Sequence, residues 1–447
     1  MSRNTRRPRT GSLALVASLA IALGGCASGP SASASLLPSA APSSPPVGEA
    51  SEAPEASASP SLPPEASAAP TPAPTLSASS GPTSEPTEAP SPTPKLPPLA
   101  AGWSTPALVP GSAACAPAGV LAVIDSAGRI HMVAQCGKDF GYFVQASGGS
   151  WTSTTLPPPP GKTDAFPQIA VDGSATYLAY QEYGDGGCGD AGFSSVLVRS
   201  QAAPGGAWSA PTKIGATNDG LESFIVQGGT IYATVLNDNA TSWFETVQGG
   251  TTHRYKIGDA RHEGSVSLQV GTDHLARIAY WGEAGIRYGV FNGAGFTTST
   301  VYKQDGYAWG PVLELDSTNQ PRIMWTHSPQ PGGCALGGGT SKDGEYYATL
   351  SGSTWTSRRF TTNVDGVSFV RDDTTGVVTA LTGGQDSISV YTKAGATWQL
   401  NTLSTLPTSL PTLLINQATG GLHAVFTVDP AYSSAKPGIY TMTRAGR

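Results

Sequence analysis

The sequence predicts an all-β fold: a seven-bladed β-propeller of four-stranded antiparallel blades, its last blade closed by the N-terminal strand. Three observations predict it. A segment of about fifty residues recurs seven times after residue 101, and self-similarity at that period marks a ring or a solenoid. Each copy reads as four short strands, two alternating ones about a polar turn, then a Tyr/Phe/Val-rich one and an aromatic-led fourth. The final copy stops at Arg447 one strand short, and an unused strand pattern, Gly102–Leu108, stands ahead of the first copy.

The chain opens with a segment of another kind, residues 1–25. Arg3, Arg6, Arg7 and Arg9 precede an apolar stretch from Leu13 to Leu23, the layout of a secretory signal. That stretch is well short of the ~20 residues that span a bilayer as a helix. The pair Arg6-Arg7 suits twin-arginine export poorly, because Pro8 follows at once. Leu23-Gly24-Gly25-Cys26 resembles the lipobox of bacterial lipoproteins. The resemblance implies cleavage before Cys26, diacylation of its sulfur and a lipid-anchored, extracytoplasmic place on the outer face of the cell membrane. A plain secretory signal would leave Cys26 an ordinary residue.

Residues 26–100 are almost entirely Ser, Ala, Pro and Thr, with Glu49, Glu52, Glu55, Glu65, Glu85, Glu88 and Lys95 among them and no aromatic. Such a segment buries too little apolar surface to offset the entropy of ordering. It reads as a disordered, proline-stiffened spacer. At ~3.1 Å per residue its reach is on the order of 200 Å. Ser/Thr-Pro tracts also suit an O-glycosylated stalk.

The repeats fill residues 101–447, which hold all nine tryptophans. Their opening hairpins are Gly119–Ala134, Pro167–Tyr180, Val266–Tyr280, Pro311–Trp325 and Pro411–Phe426. The units start near Cys115, Phe166, Leu221, Ser265, Pro311, Val367 and Pro411, the third being the most degenerate. Trp151, Trp208, Phe296, Trp355 and Trp398 each follow a glycine turn. Recurring once per unit, they are expected to pack between sheets rather than to form a sugar-binding row. Gly102–Leu108 matches the missing fourth strand of the last unit, and its insertion there removes an open sheet edge.

The repeat pattern over 102–447 resembles the sialidase-like, BNR-repeat group of exported bacterial propellers. The Asp-box of that group, Ser-x-Asp-x-Gly-x-x-Trp, is absent. Ser341-Lys342-Asp343-Gly344 begins like it, but the glycine comes one place early and no tryptophan follows at the right offset.

Charge and cysteine content narrow the function classes. The formal net charge is -6, and no run of Lys/Arg exceeds two residues, which argues against nucleic acid as a partner. With Cys26 set aside, Cys115, Cys136, Cys188 and Cys334 remain. Four exported cysteines point to disulfides in one of three pairings. The first hairpin sets Cys115 nearly opposite Cys136, within disulfide range. Cys188–Cys334 follows by elimination, the alternative being free or intermolecular thiols.

In a propeller the loops between second and third strands share one face with the links between blades, and binding residues sit on such loops. Those segments hold Glu182, Asp185 and Asp190 in unit two, and Asp219 and Glu222 at the start of unit three. Arg261, His262 and Glu263 precede unit four, whose loop carries Trp281 and Glu283. Asp305, Tyr307 and Trp309 precede unit five, its loop carries His327, and Asp365 precedes unit six. Carboxylates, an arginine, histidines and aromatics on one rim suit a polar ring such as a sugar.

The expected function is a binding or interaction module, taking a glycan or a partner protein. The alternatives are a sialidase-like glycoside hydrolase and a structural surface protein without a small ligand. A sialidase needs several converging arginines, and the rim offers chiefly Arg261, since Arg199, Arg287 and Arg322 fall within strands. There is neither a Gly-x-Ser-x-Gly elbow nor a His-Glu-x-x-His zinc motif. No cofactor is expected. Ca²⁺ in the aspartate turns lacks a full ligand series. A monomer is expected.

Overall fold

The computed structural model describes residues 99–115, 119–146, 149–157, 166–183, 193–237, 241–260, 266–303, 307–328, 342–362, 364, 366–383, 387–406, 408, 411–428 and 433–447. The signal, nearly all of the spacer, and Cys188 and Cys334 lie outside them. Among the described residues no helix is long and apolar enough to cross a membrane.

The strands form seven four-stranded antiparallel sheets, a seven-bladed propeller. Blade one holds β2 (Val120–Ile124), β3 (Ile130–Cys136), β4 (Asp139–Gln145) and β5 (Trp151–Leu156). Blade two holds β6 (Gln168–Asp172), β7 (Ala175–Tyr183), β8 (Phe193–Gln201) and β9 (Thr212–Ile214). Blade three holds β10 (Asp219–Gln227), β11 (Thr230–Asn237), β12 (Ser242–Gln248) and β13 (Thr251–Lys256). Blade four holds β14 (Ser267–Val270), β15 (Ala276–Gly282), β16 (Gly285–Phe291) and β17 (Phe296–Lys303). Blade five holds β18 (Tyr307–Leu315), β19 (Pro321–Ser328), β20 (Gly344–Ser351) and β21 (Thr354–Thr361). Blade six holds β22 (Val367–Arg371), β23 (Val378–Thr382), β24 (Ile388–Ala394) and β25 (Thr397–Ser404). Blade seven holds β26 (Thr412–Asn416), β27 (Gly421–Val428), β28 (Gly438–Arg444) and the N-terminal β1 (Ala107–Leu108). The first strands of successive blades touch in turn, and β26 touches β2, which completes the ring.

The closure is as the leftover strand predicts. Ala107 pairs with Thr441 and Leu108 with Tyr440, and Trp103 bridges Arg444. The Ser104 and Val109 amides donate to the Thr443 and Ile439 carbonyls, both at 2.8 Å. Ser112 extends the seam: its Oγ accepts from the Ile439 amide at 3.0 Å and donates to the Val109 carbonyl at 2.7 Å. The Cys115–Cys136 disulfide, expected from the first hairpin, is formed.

The core lies between blades, because each sheet can bury its faces only against its neighbours. Leu221, Phe224, Val226 and Ala179 fill the gap between blades two and three. Leu313, Trp325, Trp281 and Tyr346 fill the gap between four and five. The once-per-unit aromatics do pack between sheets. Trp208 meets Tyr142 at 5.2 Å, Phe296 meets Phe244 at 5.2 Å, Trp355 meets Tyr288 at 5.4 Å and Trp398 meets Tyr347 at 5.6 Å. Each such pair adds roughly 1 kcal/mol beyond the area it buries.

Strand alternation gives the ring two unlike faces. One carries the turns between first and second strands, and these are braced blade to blade. The Gly229 amide donates to Asp172 Oδ2 at 2.7 Å, Thr272 N to Asn319 Oδ1 at 2.8 Å, Ser317 N to Asp373 Oδ2 at 3.1 Å and Asp373 N to Gln417 Oε1 at 3.1 Å. The aspartates and amides of this turn face are thus occupied as structural braces. Gly128 shows why glycine closes such a turn: its φ is +75°, and a Cβ there would sit 2.9 Å from Asn416 Nδ2. The opposite, rim face carries the links between blades and the connections from second to third strands.

Candidate functional site

The rim ends of blades three, four and five hold most of the described candidate residues. In blade three the link from blade two, residues 215–218, is pinned by charge. Asp219 is wholly buried. It accepts from the Ala216 amide at 2.6 Å and from both Arg254 Nη atoms at 2.6 and 3.0 Å. Arg254 also donates to Glu245 Oε1 at 2.9 Å and lies over the Trp243 ring at 4.6 Å. Burial pushes the Glu245 carboxyl up to about 7, against the opposing pull of Arg254. Asp219 is therefore committed to holding the chain, which corrects its assignment to an open rim.

Glu222 is the extra residue of a β-bulge, since Leu221 pairs with Val235 and Ser223 with Thr234. Its side chain is buried rather than displayed on the rim. Ser242 Oγ donates to Oε1 at 3.5 Å, while among the described residues Oε2 has no partner at ordinary hydrogen-bond geometry. Burial pushes its carboxyl up to about 8, outweighing the Ser242 hydroxyl and the Val266 backbone. Glu222 is thus a neutral acid at pH 7.

In blade four the connection from β15 to β16 is a tight turn, and this corrects the position of Trp281. Trp281 belongs to β15, pairs with Ile286 and is 3% exposed in the core between blades four and five. Its side chain serves packing. Glu283, at the tip of the turn, is exposed. Beside it Tyr280 OH donates to Asp259 Oδ1 at 2.9 Å, and burial, with Asp259, pushes the phenol up to about 12.

Blade five gathers the most chemistry. His327 lies near the end of β19 rather than in a loop, is 3% exposed, and pairs in register with Ala308. Its ring lies over Tyr346 with centroids 6.0 Å apart, above the stacked Trp325–Tyr346 pair at 5.4 Å. His327 Nδ1 is 3.3 Å from Asp343 Oδ1. A carboxylate accepts, so Nδ1 carries a proton; in the neutral ring Nε2 is then the acceptor, and among the described residues it has no partner. Arg359 Nη1 donates to the Asp343 carbonyl at 3.0 Å. Next to Asp343 along the chain, Glu345 Oε2 accepts from Thr326 Oγ1 at 2.8 Å and Oε1 from the Gly366 amide at 3.1 Å.

Register places Tyr307 opposite Ser328 and Trp309 opposite Thr326, positions that alternate along the strand pair with Ala308–His327 and so belong to the other face of the sheet. Glu182 has its place in β7. Arg261, His262, Glu263, Asp305 and Asp365 lie outside the described residues, as do Asp185 and Asp190. Sequence reasoning missed the part played by Asp343, although the incomplete Asp-box, Ser341–Gly344, marked its position. Among the described residues no group of three or more His, Cys, Asp or Glu is placed to hold a metal ion.

No family model matches the chain, and no curated protein matches it significantly. Solved structures do resemble it. Selenomethionine-substituted virginiamycin B lyase from Staphylococcus aureus superposes with a TM-score of 0.50 at 9% identity, over 76% of this chain and 99% of that one. YCF48 bound to D1 peptide gives 0.48 at 11% identity, over 79% and 100%. Trypanosoma rangeli sialidase gives 0.42 at 9% identity, over 72% and 54%. At these identities the likeness concerns the fold alone.

Proposed function

We propose that this protein is a lipid-anchored, extracytoplasmic binding module whose rim face recognises a glycan. Residues 1–25 serve as the signal, Cys26 carries the lipid, residues 26–100 form the spacer and residues 101–447 the binding domain. The observation that carries the reading is the Asp343–His327 pair at the rim end of blade five. A buried nitrogen without a partner costs the free protein roughly 1–3 kcal/mol. Such an atom asks for an explanation, and a ligand that supplies the missing donor is one. The Nε2 lone pair asks for a donor, and a sugar hydroxyl is one.

The test is a glycan panel probed with the mature chain. Saturable binding that His327→Ala weakens tenfold or more, with the fold intact, is the expected result. Binding indifferent to that change overturns the site. Cys26→Ala should release the protein from the membrane fraction, and retention there overturns the anchor.

A second reading, a glycoside hydrolase, is favoured by Glu222. A carboxyl kept protonated by burial has the protonation state that the general acid of glycoside cleavage requires. Turnover of an aryl-glycoside abolished by Glu222→Gln supports it. No turnover across a broad panel ends it.

A further inference from the structure

We propose that the ring seam is a tension clip: a pull on the tether peels β1 from β28, and the Cys115–Cys136 disulfide arrests the peeling before blade one opens. The inference rests on the tether reading above, since only an anchored chain feels such a pull.

The order of contacts along the chain supports it. A pull arriving from the N-terminal side first meets Leu99 and Ala100, whose amide donates to the Thr402 carbonyl at 2.8 Å on the outer wall of blade six. It next meets Trp103, bridged to Arg444 and lying under its guanidinium at 5.8 Å. Ser104, which exchanges bonds with Thr443 at 2.8 and 3.0 Å, follows. Then come Ala107, Leu108 and Val109, and last Ser112. These attachments are short and successive, so they release one after another. None of them belongs to a first strand of the ring.

At Cys115 the path changes character. Cys115 is completely buried and bonded to Cys136, the last residue of β3. Tension reaching Cys115 passes through the sulfurs to Cys136 and skips β2 and the rest of β3. The skipped strand β2 is the one that touches both β26 and β6 and so seals the circuit of first strands. The disulfide therefore removes from the line of force the strand whose loss opens the ring. Peeling residues 99–114 frees about 50 Å of chain, and the bridge withholds the 21-residue separation of its cysteines, about 70 Å at roughly 3.4 Å per residue.

Single-molecule stretching of the mature chain tests this, with one handle at residue 26 and the other at exposed Glu283 on blade four. The handle replaces the lipid, so the result is independent of Cys26 acylation, and failure of the anchor in the Cys26→Ala fractionation is a separate outcome. The oxidised chain should show a first release of about 50 Å, then resist. Its total release to residue 283 should be about 70 Å shorter than that of Cys115→Ser/Cys136→Ser. Should the double variant not fold, wild-type protein held after its first release should yield the withheld 70 Å when dithiothreitol is added. Blade one opening in the first event of the oxidised chain, or the same lengths with and without the bridge, overturns the proposal.

Discussion

Asp125→Asn isolates what one turn-face carboxylate contributes to the ring. Asp125 closes the β2–β3 turn: Oδ1 accepts from the Ala127 and Arg129 amides at 3.0 and 2.8 Å. Oδ2 accepts from Arg129 Nε at 2.6 Å and from His131 Nε2 at 3.1 Å. His131 Nδ1 meets Tyr142 OH at 2.8 Å and Thr176 Oγ1, on the next blade, at 3.4 Å. Burial alone would raise the carboxyl, but the hydrogen bonds from His131 and Arg129 outweigh it and hold the group at about 2, against an ordinary 3.8. At about 1.4 kcal/mol per unit, that depression contributes about 2 kcal/mol. Asparagine keeps the amide bonds through its oxygen but turns an N–H toward two donors. Leaving a buried donor unpaired costs a further 1–3 kcal/mol or so. The variant should lose about 4 kcal/mol, and a domain of roughly 350 residues should then melt about 5 °C lower. The pH dependence carries the sign. A group whose pKa is depressed on folding stabilises above its unfolded value and loses that contribution as pH falls through the folded one. The gap between wild type and variant should thus be full at pH 5 and shrink by about 2 kcal/mol as pH falls from 3.8 through 2. Calorimetry at pH 7, 5, 3.5 and 2.5 reads it. A gap that is absent, or constant with pH, refutes the reasoning.

Three further outcomes follow from the geometry. Glu222→Gln should gain stability relative to wild type as pH rises from 5 to 8: the folded carboxyl, raised to about 8, resists the ionisation that the unfolded chain undergoes near 4.5. Urea midpoints at the two pH values check it, and parallel curves count against a neutral Glu222. Gly438→Ala should loosen the seam, because φ there is +144° and a Cβ would lie 2.7 Å from Leu108 Cδ1. Faster hydrogen exchange at Val109 is the readout, and unchanged protection speaks against that contact. Trp281→Ala should cost about 3–5 kcal/mol, as a core residue does, and a melting temperature within a degree of wild type would return Trp281 to the surface.

The sequence by itself determined the architecture, because alternation, turn residues and the once-per-unit aromatic are local signals and a ring repeats them. It also placed β1, since one unmatched strand and one incomplete blade have a single mutual solution. The same hairpin register placed Cys115 against Cys136. What escaped it depends on where distant segments converge. The predicted loop around Trp281 and Glu283 is a tight turn, and nothing in the spacing distinguishes the two. Arg254 lies 35 residues from Asp219, and only the path of the blade-two link brings them together. The blade-five site depends likewise on a pairing across 16 residues, whose ends meet because β19 and β20 run side by side. Periodicity dictates which strands exist. The twist and closure of the ring decide which charges meet, which are buried, and which atoms are left without a partner.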